Sequence, residues 1–290
     1  MGLDGGGTKT DCVLVDEAGR VLGRGRGGAS NPSRIGFDAA RIGILAAARG
    51  ALHEAGKQIE EVTDVCAGLA GVGRSENADR MQKELKEIFA GAKVHVCTDL
   101  DLALAGAKTG PAIVLVAGTG SGAIGRDGNG RVARSGGHGP ATSDEGSAFA
   151  IGKRAVANAG VDPGLARRIL DGLGMQGFDE VLAKAAEDAD GVYPRVFPII
   201  AVAADEGNAT ARDLLKDAAK NLAKLVSEVE KDLELSGAAY FLGKIGGTIG
   251  RSRIFDEALN EELRRVAPHT RAEHLSARPA EIAARLALQR

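Results

Sequence analysis

The sequence predicts an α/β fold made of two related halves. Short runs rich in β-branched residues alternate with amphipathic helical stretches along the chain of 290 residues. A glycine-rich loop between two predicted strands occurs near residue 5 and again near residue 118. Of the 42 glycines, 9 lie in residues 1–30 and 13 in residues 106–152, so two local structures account for much of the glycine excess. The glycines lack a G-X-Y period, which excludes collagen.

The predicted strands are short, and most are bounded by glycine or polar residues. They are residues 1–4, 12–16, 21–24, 62–69, 93–98, 113–117, 122–126, 131–135 and 238–242. The predicted helices carry apolar residues at intervals of three and four. They are residues 38–56, 75–90, 144–159, 179–188, 209–235, 255–266 and 279–288. The longest has a continuous apolar stripe, and Pro279 suits the first turn of the last helix.

An internal repeat indicates the duplication. Each copy has a strand, a glycine loop, a second strand, a tight turn and a third strand. The loops are residues 4–9 and 117–122, and the turns are residues 17–21 and 128–132. Matching features are separated by roughly 110 residues throughout. We expect a duplicated domain whose two glycine loops face one another across a cleft; two unrelated glycine hairpins are the alternative.

Both glycine loops have the composition of a phosphate site. Glycine permits positive φ and lets backbone N–H groups converge on an anion without interference from a Cβ atom. The residues that would contribute are Gly5, Gly6, Gly7, Thr8, Lys9 and Thr10 in the first loop, and Gly118, Thr119, Gly120 and Ser121 in the second. Neither loop is a Walker A motif. Two opposed loops could hold the β- and γ-phosphates of a nucleotide from both sides.

Another glycine pattern follows the first hairpin. Gly23, Gly25 and Gly28 match G-x-G-x-x-G, but the chain continues into Ser30, Asn31 and a proline instead of opening a helix. We interpret this stretch as hairpin and loop, not as a dinucleotide-binding fingerprint.

The composition argues against several classes of protein. Lys and Arg total 37 and Asp and Glu 39, a net charge of −2, unlike the basic footprint of a nucleic-acid-binding protein. The apolar run at residues 197–204 is too short to cross a bilayer. The glycine motif begins within five residues of the start, leaving no room for a signal peptide, so we expect a cytoplasmic protein. Cys12, Cys66 and Cys97 lie in predicted strands without metal-ligand spacing and are interpreted as buried structural thiols.

Two acidic residues at predicted strand ends are candidates for phosphoryl-transfer chemistry. Asp4 lies beside the first glycine loop, where it could order the water shell of a Mg²⁺ ion; the alternative is a loop carboxylate bonded to local N–H groups. Asp99 follows the strand at residues 93–98, where a carboxylate could accept the proton of a substrate hydroxyl. The alternative for Asp99 is an N-cap of the helix that begins near Leu100, and Asp101 is a rival two residues on.

A third acidic position precedes the predicted helix at residues 144–159. Asp144 and Glu145 open this stretch together with Gly146 and Ser147. One of the two carboxylates could simply cap the helix.

The motifs, taken in order, resemble the BadF/BadG-type ATPase family. Within it they are similar to the branch of N-acetylglucosamine and glucosamine kinases, in the actin, sugar kinase and Hsp70 superfamily. The resemblance covers essentially the whole chain, and a run of motifs in this order is far more specific than one glycine loop. The motifs are Leu3-Asp4-Gly5-Gly6-Gly7-Thr8-Lys9-Thr10, Ser30-Asn31, Gly68-Leu69-Ala70-Gly71, Thr98-Asp99, Ala117-Gly118-Thr119-Gly120-Ser121, Gly136 to Gly139, Asp144-Glu145-Gly146-Ser147 and Gly246-Gly247.

The resemblance implies an architecture and a set of ligand contacts. It implies two ribonuclease-H-like domains flanking a nucleotide and sugar cleft, residues 1–108 with the returning helix 279–290, and residues 109–278. ATP would lie between the glycine loops with Gly246 and Gly247 beside the adenosine, Mg²⁺ would be held through water by Asp4, and Asp99 would be the base. The implied sugar contacts are Ser30, Asn31, Asp99, Thr119, Gly137, His138 and Asp144. The family also implies a homodimer and domain closure on the sugar, which would exclude water.

The chain departs from the family pattern in three regions. Many relatives have Trp where this chain has His138, and Gly where it has Ser143. The usual C-terminal Pro-x-x-Gly-Ala lacks its glycine in residues 279–284, and the adenosine region 242–247 has an unusual first half. The identity of the sugar therefore stays open, and His138 is either a sugar contact or a loop residue beside glycines.

The leading hypothesis is an ATP- and Mg²⁺-dependent kinase for an amino sugar or hexose. N-acetylglucosamine and glucosamine are the first candidates, at the 6-hydroxyl, with N-acetylmuramic acid and plain hexoses not separable from them. One alternative is an ATPase that activates a partner enzyme through a cysteine-held Fe–S cluster, but no cysteine here lies in a Cys/Gly loop. The other is a sugar-sensing ATP-binding protein, which usually carries an additional DNA-binding segment.

Overall fold

The computed structural model describes residues 1–137, 139, 144–275 and 278–289. Within these residues the chain forms ten strands and eleven α-helices, with a short 3-10 helix at Ile59–Glu61. The strands are β1 (Gly2–Gly5), β2 (Thr10–Val15), β3 (Val21–Gly27), β4 (Asp64–Leu69), β5 (Lys93–Thr98), β6 (Ala112–Ala117), β7 (Ser121–Arg126), β8 (Val132–Gly136), β9 (Phe241–Ile245) and β10 (Ala272–His274). The helices are α1 (Pro32–Ile35), α2 (Phe37–Ala55), α3 (Ser75–Ile88), α4 (Asp99–Ala105), α5 (Ala148–Ala157), α6 (Pro163–Leu173), α7 (Phe178–Glu187), α8 (Ala189–Asp205), α9 (Ala209–Asp232), α10 (Arg253–Val266) and α11 (Pro279–Leu288). None of the helices in the described ranges is both long and apolar enough to span a bilayer.

The chain divides into two compact units. Unit 1 comprises Met1–Gly106 together with Leu275–Arg290, and unit 2 comprises Ala107–His274. Unit 1 therefore holds the first five strands with α1 to α4 and the last helix, α11. Unit 2 holds the other five strands with α5 to α10.

The two units contain sheets of the same topology. The sheet of unit 1 has the order β3-β2-β1-β4-β5, and that of unit 2 the order β8-β7-β6-β9-β10. In each, the first three strands form an antiparallel meander, and the last two run parallel to the first strand. The predicted duplicated α/β fold is confirmed. In both units the glycine loop connects the central strand to the middle strand of the meander.

Glycines in β3 let helix α2 lie directly on the strand backbone. A Cβ atom on Gly25 would overlap the carbonyl oxygen of Ala47 and lie 2.5 Å from the backbone nitrogen of Ala51. Gly23 and Gly27 meet the backbone of α2 in the same way. The strand therefore runs three residues beyond its predicted end at residue 24, and Gly25 lies in the hairpin. The packing of α2 holds these residues in the extended conformation.

The last helix packs on the central strand of unit 1. A Cβ atom on Gly2 would overlap backbone atoms of Ala280 and Ala284, and one on Gly106 would overlap the side chain of Ile282. Arg24 of β3 reinforces this contact through a 2.7 Å ion pair with Glu281 of α11. Helix α11 lacks the glycine of the C-terminal motif and has alanines there. The glycine at this contact is Gly2 of β1, which lets α11 pack directly on the strand backbone.

Each sheet buries its own apolar core. In unit 1, α2 and α3 cover one face, where Leu3, Leu69 and Met81 are fully buried, and α4 and α11 cover the other. In unit 2 a larger core lies between the sheet and helices α5 to α10. Cys12 and Cys66 are buried as predicted, and Cys97 is half-buried.

Four elements were not predicted in full from the sequence. Helix α1 and the three-residue strand β10 are too short to show a periodic pattern, whereas α6 was missed although Leu165, Ile169 and Leu173 have helical spacing. Helix α8 contains Pro194 and Pro198, and proline normally argues against a helix interior. Burial of Val196, Phe197 and Ile200 in the core of unit 2 outweighs that local penalty.

Candidate functional site

Asp4 and Asp99 lie at the carboxyl edge of the sheet in unit 1. Asp4 is paired in register with Gly68 of β4, which is paired with Cys97 of β5, and Asp99 begins α4 immediately after β5. The in-register residues share one face of the sheet, the face that α4 covers. A Cβ atom on Gly68 would lie 2.5 Å from Cδ2 of Leu102, so the glycine lets α4 approach the sheet closely. This packing brings the first residue of α4 towards Asp4.

Thr98, and not Asp99, caps α4. The Thr98 hydroxyl oxygen accepts a 3.1 Å hydrogen bond from the backbone N–H of Asp101, and the Asp101 carboxylate accepts from the backbone N–H of Thr98 at 3.1 Å and from its hydroxyl at 2.7 Å. This is a capping box. The alternative of Asp99 as N-cap is wrong, because Asp99 is the first helical residue and accepts a bond from Leu100 N at 3.0 Å. The Asp101 carboxylate is therefore part of the capping box, a structural role that Asp99 does not share.

The pKa of Asp4 is unusually high for a carboxyl group. Removal from water, followed by the negative charges of Asp99 and Asp11, raises the pKa of Asp4 to about 7, against a weaker opposing effect of Lys9. Asp99 is thus close enough to Asp4 to destabilise its ionised form. Two carboxyl groups close together favour binding of a cation.

The donor set matches a hydrated magnesium ion. Carboxylate oxygens are the protein ligands that Mg²⁺ prefers, and the ion usually keeps several waters. Among the described residues no cluster of three or more His, Cys, Asp or Glu side chains is placed to hold a metal directly. Asp4 with Asp99 therefore fits a magnesium ion bound largely through water.

Asp4→Asn is expected to stabilise the ligand-free protein at alkaline pH. The pKa of Asp4 is 3.8 in the unfolded chain and about 7 in the folded protein. Its contribution to folding stability is therefore fully present below pH 4 and is lost as the pH rises through 7. A pKa difference of about 3 corresponds to about 4 kcal/mol at most, so the variant should unfold at a higher temperature than the parent at pH 8. Thermal unfolding without nucleotide or divalent cation, followed from pH 3 to pH 8.5, measures this.

Asp16→Asn provides a control of opposite sign. A backbone hydrogen bond from Arg20 is the main cause that lowers the pKa of Asp16, so its contribution to stability is present at neutral pH and lost on acidification. Identical pH profiles for the parent and the Asp4→Asn variant would contradict the assignment of the raised pKa to Asp4.

The first glycine loop presents a row of backbone donors. Its turn is closed by a 2.9 Å hydrogen bond from Gly6 N to Lys9 O, and Gly6 O accepts from Ser30 N at 2.9 Å. Within the described part of the chain, no acceptor lies in hydrogen-bond reach of the N–H groups of Gly7, Thr8 and Lys9. Three consecutive N–H donors of this kind are the structural basis of a phosphate-binding loop.

Hydroxyl groups buried beneath the loop hold it in place. Thr10 and Ser30 are fully buried, and the Thr10 hydroxyl donates at 2.8 Å to the Ser30 oxygen or at 2.7 Å to the carbonyl of Gly28. A Cβ atom on Gly5 would overlap the Ser30 hydroxyl and lie 2.5 Å from Leu69 Cδ2. The structure therefore gives Thr10 and Ser30 a supporting position under the loop, whereas the sequence predicted them as ligand contacts.

Lys9 is paired with a neighbouring carboxylate. Its ammonium group donates to Asp11, which also accepts a 2.7 Å bond from Arg26. The Lys9 side chain is half exposed, so it remains within reach of solvent and ligands. The predicted role of Lys9 in binding ATP stays a prediction.

Asn31 lies in a hydrogen-bonded corner beside the loop that follows β4. Its side-chain oxygen caps α1 by accepting from Ser33 N at 3.1 Å, and a Cβ atom on Gly71 would overlap that oxygen. Asn77 of α3 donates to Ser33 Oγ at 3.0 Å and to Gly71 O at 2.9 Å, and Ser33 Oγ donates to Gly71 O at 2.8 Å. Asn77 thus positions Asn31. Sequence reasoning missed it, because a polar residue in a charged helix gives no signal.

In unit 2 the second glycine loop is joined to the start of α5. The loop is closed by a 2.9 Å bond from Gly118 N to Gly120 O, and Gly118 O and Thr119 O accept from the first two N–H groups of α5 at 2.9 and 3.2 Å. Among the described residues, the N–H groups of Thr119 and Gly120 have no intramolecular acceptor. The second loop therefore also offers consecutive backbone donors.

Helix α5 begins four residues later than predicted. Ser147 is its N-cap, and its hydroxyl oxygen accepts a 3.1 Å bond from Ala150 N. The expectation that Asp144 or Glu145 caps this helix is wrong. The predicted start at residue 144 fails because Gly146 has φ +82 and lies outside the helix.

Asp144 lies against the second glycine loop. The residue is 8% exposed, and a Cβ atom on Gly120 would lie 2.8 Å from its Oδ2. The Ser121 hydroxyl donates at 2.9 Å to the carbonyl of Glu145, and the backbone carbonyl of Ser121 accepts from Gly137 N at 2.8 Å. Asp144, Ser121 and Gly137 are thus brought together around this loop. Of the remaining predicted residues, His138 and Ser143 lie outside the described residues.

The loop after β9 also contacts the second glycine loop. Gly246 has φ +132, and a Cβ atom there would overlap the carbonyl oxygen of Ala117. The same carbonyl accepts a 2.7 Å bond from the buried hydroxyl of Thr248, and a Cβ atom on Gly118 would lie 3.6 Å from Gly247 N. The predicted adenosine residues and phosphate residues of unit 2 are therefore adjacent. Thr248, which the sequence analysis did not identify, connects them.

Comparisons with known proteins find relatives that match most of the chain. The model of the BadF/BadG/BcrA/BcrD ATPase family matches residues 1–277. The N-acetylmuramic acid/N-acetylglucosamine kinase of Clostridium acetobutylicum is 29% identical over 89% of this chain and 88% of its own length. The N-acetyl-D-glucosamine kinase of Dictyostelium discoideum is 28% identical over 99% and 97%. A ROK family glucokinase from Streptomyces griseus, solved with glucose and AMPPNP, has a TM-score of 0.70 at 23% identity and covers 100% of this chain and 99% of its own. The last likeness concerns the fold.

Proposed function

We propose that this chain, which belongs to the BadF/BadG/BcrA/BcrD ATPase family, transfers the γ-phosphoryl group of ATP to a hydroxyl of an amino sugar or hexose. The observation that carries the proposal is the arrangement in unit 1 of two acidic residues, Asp4 and Asp99, beside a loop with three consecutive backbone donors. Phosphoryl transfer needs a phosphate site, a bound cation and a base for the acceptor hydroxyl, and this arrangement can supply all three. The names of the two curated relatives support a sugar as the acceptor.

The nucleotide would take its contacts from backbone groups. The N–H groups of Gly7 and Thr8 in unit 1, and of Thr119 and Gly120 in unit 2, would donate to phosphate oxygens. Gly246 and Gly247 would lie beside the adenosine, since they adjoin the second glycine loop at Ala117 and Gly118. A bound Mg²⁺, held through water by Asp4, would neutralise charge on the phosphates.

Asp99 would act as the general base. As the acceptor oxygen of the sugar attacks the γ-phosphorus, its proton passes to the Asp99 carboxylate and a new O–P bond forms. The bond between the γ-phosphorus and the bridging oxygen breaks, and its electron pair leaves with ADP. Backbone donors fixed by the buried Thr10 and Ser30 pair would stabilise charge on the transferring group without having to reorganise.

The sugar would be an N-acetylglucosamine or glucosamine, phosphorylated at the 6-hydroxyl. Asn31, fixed by Ser33, Gly71 and Asn77, would bind sugar hydroxyls from unit 1. Asp144 would do so from unit 2, where its carboxylate lies against Gly120. An amide and a carboxylate can accept hydrogen bonds from hydroxyl groups, and the amide can also donate to them.

Sugar-dependent release of ADP tests the proposal. We expect the purified protein with ATP and Mg²⁺ to release ADP rapidly with N-acetylglucosamine or glucosamine and slowly without sugar, as a coupled assay would record. The 6-deoxy analogue of the preferred sugar is the matched control and should give only the sugar-free rate. A rate of ADP release that no amino sugar or hexose in the panel increases would contradict the proposed function.

A further inference from the structure

Arg34 lies directly on the first glycine loop. It belongs to the last turn of α1 and is half-buried. A Cβ atom on Gly7 would overlap its Nη1 and lie 3.2 Å from its Cζ and 3.8 Å from its Cδ. The guanidinium group therefore fills the volume that a side chain at Gly7 would occupy. A side chain at position 7 would displace the guanidinium group from the loop.

The other cation at this loop, Lys9, is paired with a carboxylate. Lys9 and Arg26 both donate to Asp11, and their hydrogen bonds lower the pKa of Asp11 although partial burial acts in the opposite direction. Much of the Lys9 charge is thereby compensated. The guanidinium of Arg34 lies against Gly7, whose N–H group donates no hydrogen bond within the described residues.

Arg34 also has a defined position relative to the sugar contact. Asn31 is the N-cap of α1, and Arg34 follows it by one helical turn, with a 3.1 Å bond from Arg34 N to Asn31 O. A group on this short helix is therefore placed between the proposed sugar contact and the phosphate loop. The phosphate nearest the sugar is the one that is transferred.

We propose that Arg34 binds the γ-phosphate of ATP, an inference that rests on the proposed function. A guanidinium can donate two parallel hydrogen bonds to oxygens of one phosphate, which makes it selective for a group in a defined orientation. ADP lacks that phosphate and makes no such contact. After transfer, the same guanidinium would contact the phosphate of the sugar product.

The test compares ATP and ADP binding in Arg34→Gln and Arg34→Lys variants. With Mg²⁺ present, calorimetric titration should give an ATP dissociation constant about 10- to 100-fold higher for Arg34→Gln, because a hydrogen bond to a charged group is lost. The ADP dissociation constant should change by less than about threefold. Arg34→Lys should recover part of the ATP affinity, since it keeps the charge but not the forked geometry.

Arg41→Gln is the matched control. Arg41 is an arginine on α2 that pairs with Glu84 at 3.0 Å and 40% of its side chain is exposed. Its replacement should leave the dissociation constants of both nucleotides unchanged. Gly7→Ala perturbs the same guanidinium group, because the added methyl displaces it. This variant should also weaken ATP binding more than ADP binding.

The outcomes separate this inference from the proposed function. Equal weakening of ATP and ADP by Arg34→Gln, or unchanged binding of both, would overturn the role of Arg34. If Arg34→Gln does not fold, the ratio of ATP to ADP dissociation constants in Arg34→Lys and Gly7→Ala tests the role of Arg34 instead. A wild-type protein that prefers ATP through Arg34 but releases no ADP with any sugar would refute the kinase while leaving the phosphate contact in place.

Discussion

Replacement of Asp99 by Asn is expected to lower sugar phosphorylation by about 100- to 10,000-fold, the usual contribution of a general base. The amide is nearly the same size as the carboxylate but cannot take the proton of the attacking hydroxyl. The ATP dissociation constant should stay within about threefold of the parent value, because the backbone donors of both glycine loops are untouched. The measurements are the rate of sugar-dependent ADP release and a calorimetric titration with ATP.

Asp101→Asn is the control for Asp99→Asn. The two carboxylates are two residues apart on α4, but Asp101 belongs to the capping box with Thr98. Its replacement should cost about 1 kcal/mol of stability and little of the turnover. Equal turnover in the Asp99→Asn and parent proteins would contradict the assignment of the base, and loss of turnover only in Asp101→Asn would transfer that role to Asp101.

Asp99→Asn has a second, independent readout at Asp4. The Asp99 charge is the largest electrostatic cause that raises the pKa of Asp4, after removal from water. Without that charge the pKa of Asp4 should fall from about 7 towards its ordinary value, which NMR titration of the Asp4 side chain can follow. A role for Asp99 confined to sugar binding at a distance from Asp4 would leave this pKa unchanged.

The repeat in the sequence predicted the duplicated sheet well, because glycine loops and tight turns mark where the backbone reverses direction. A glycine loop followed by a strand, a tight turn and a strand specifies a hairpin meander, and both sheets begin with one. Asp4 and Asp99 could be selected as candidates because a carboxylate at a predicted strand end is recognisable from the local pattern alone. The positions of Asn77, Thr248 and Arg34 depend on contacts across unit 1 or unit 2, and nothing in their local sequence indicates those contacts.

The prediction of helices was wrong at α8 and at the start of α5, for different reasons. Helix α8 forms through two prolines because its apolar side chains are buried, whereas local propensity argues against it. The start of α5 was predicted from two acidic residues, but the positive φ of Gly146 delays the helix and Ser147 caps it. The deciding contacts lie outside the segment for α8, whereas for α5 the deciding residues, Gly146 and Ser147, lie within it.

The excess of glycine has two physical causes, and only one concerns phosphate. Gly6 and Gly7 belong to the loop that carries the backbone donors. Gly2 and Gly25 instead allow helices to touch strand backbones, α11 at Gly2 and α2 at Gly25. The first glycine cluster therefore combines the proposed phosphate loop with close packing of helices on strands, and the two roles make different predictions for substitution.

Gly25→Ala is expected to destabilise unit 1 by about 3 kcal/mol or more, through overpacking. The added Cβ would overlap Ala47 O and lie 2.5 Å from Ala51 N and 3.0 Å from Gly50 C. These are backbone atoms of α2, so the whole helix must move rather than one side chain. The melting temperature should fall by about 10 °C, as calorimetry or circular dichroism would measure.

Gly28→Ala, three residues along the same segment, isolates the cause. No heavy atom lies within 4 Å of a Cβ atom on Gly28, so this substitution should change stability by less than about 0.5 kcal/mol. Because α2 follows directly after α1, a displaced α2 should also disturb Asn31 and Arg34 and weaken sugar and ATP binding in Gly25→Ala. Equal melting temperatures for the two variants would contradict the close packing of α2 on β3. A stable Gly25→Ala protein with impaired binding would instead show that α2 shifts without unfolding and moves the site with it.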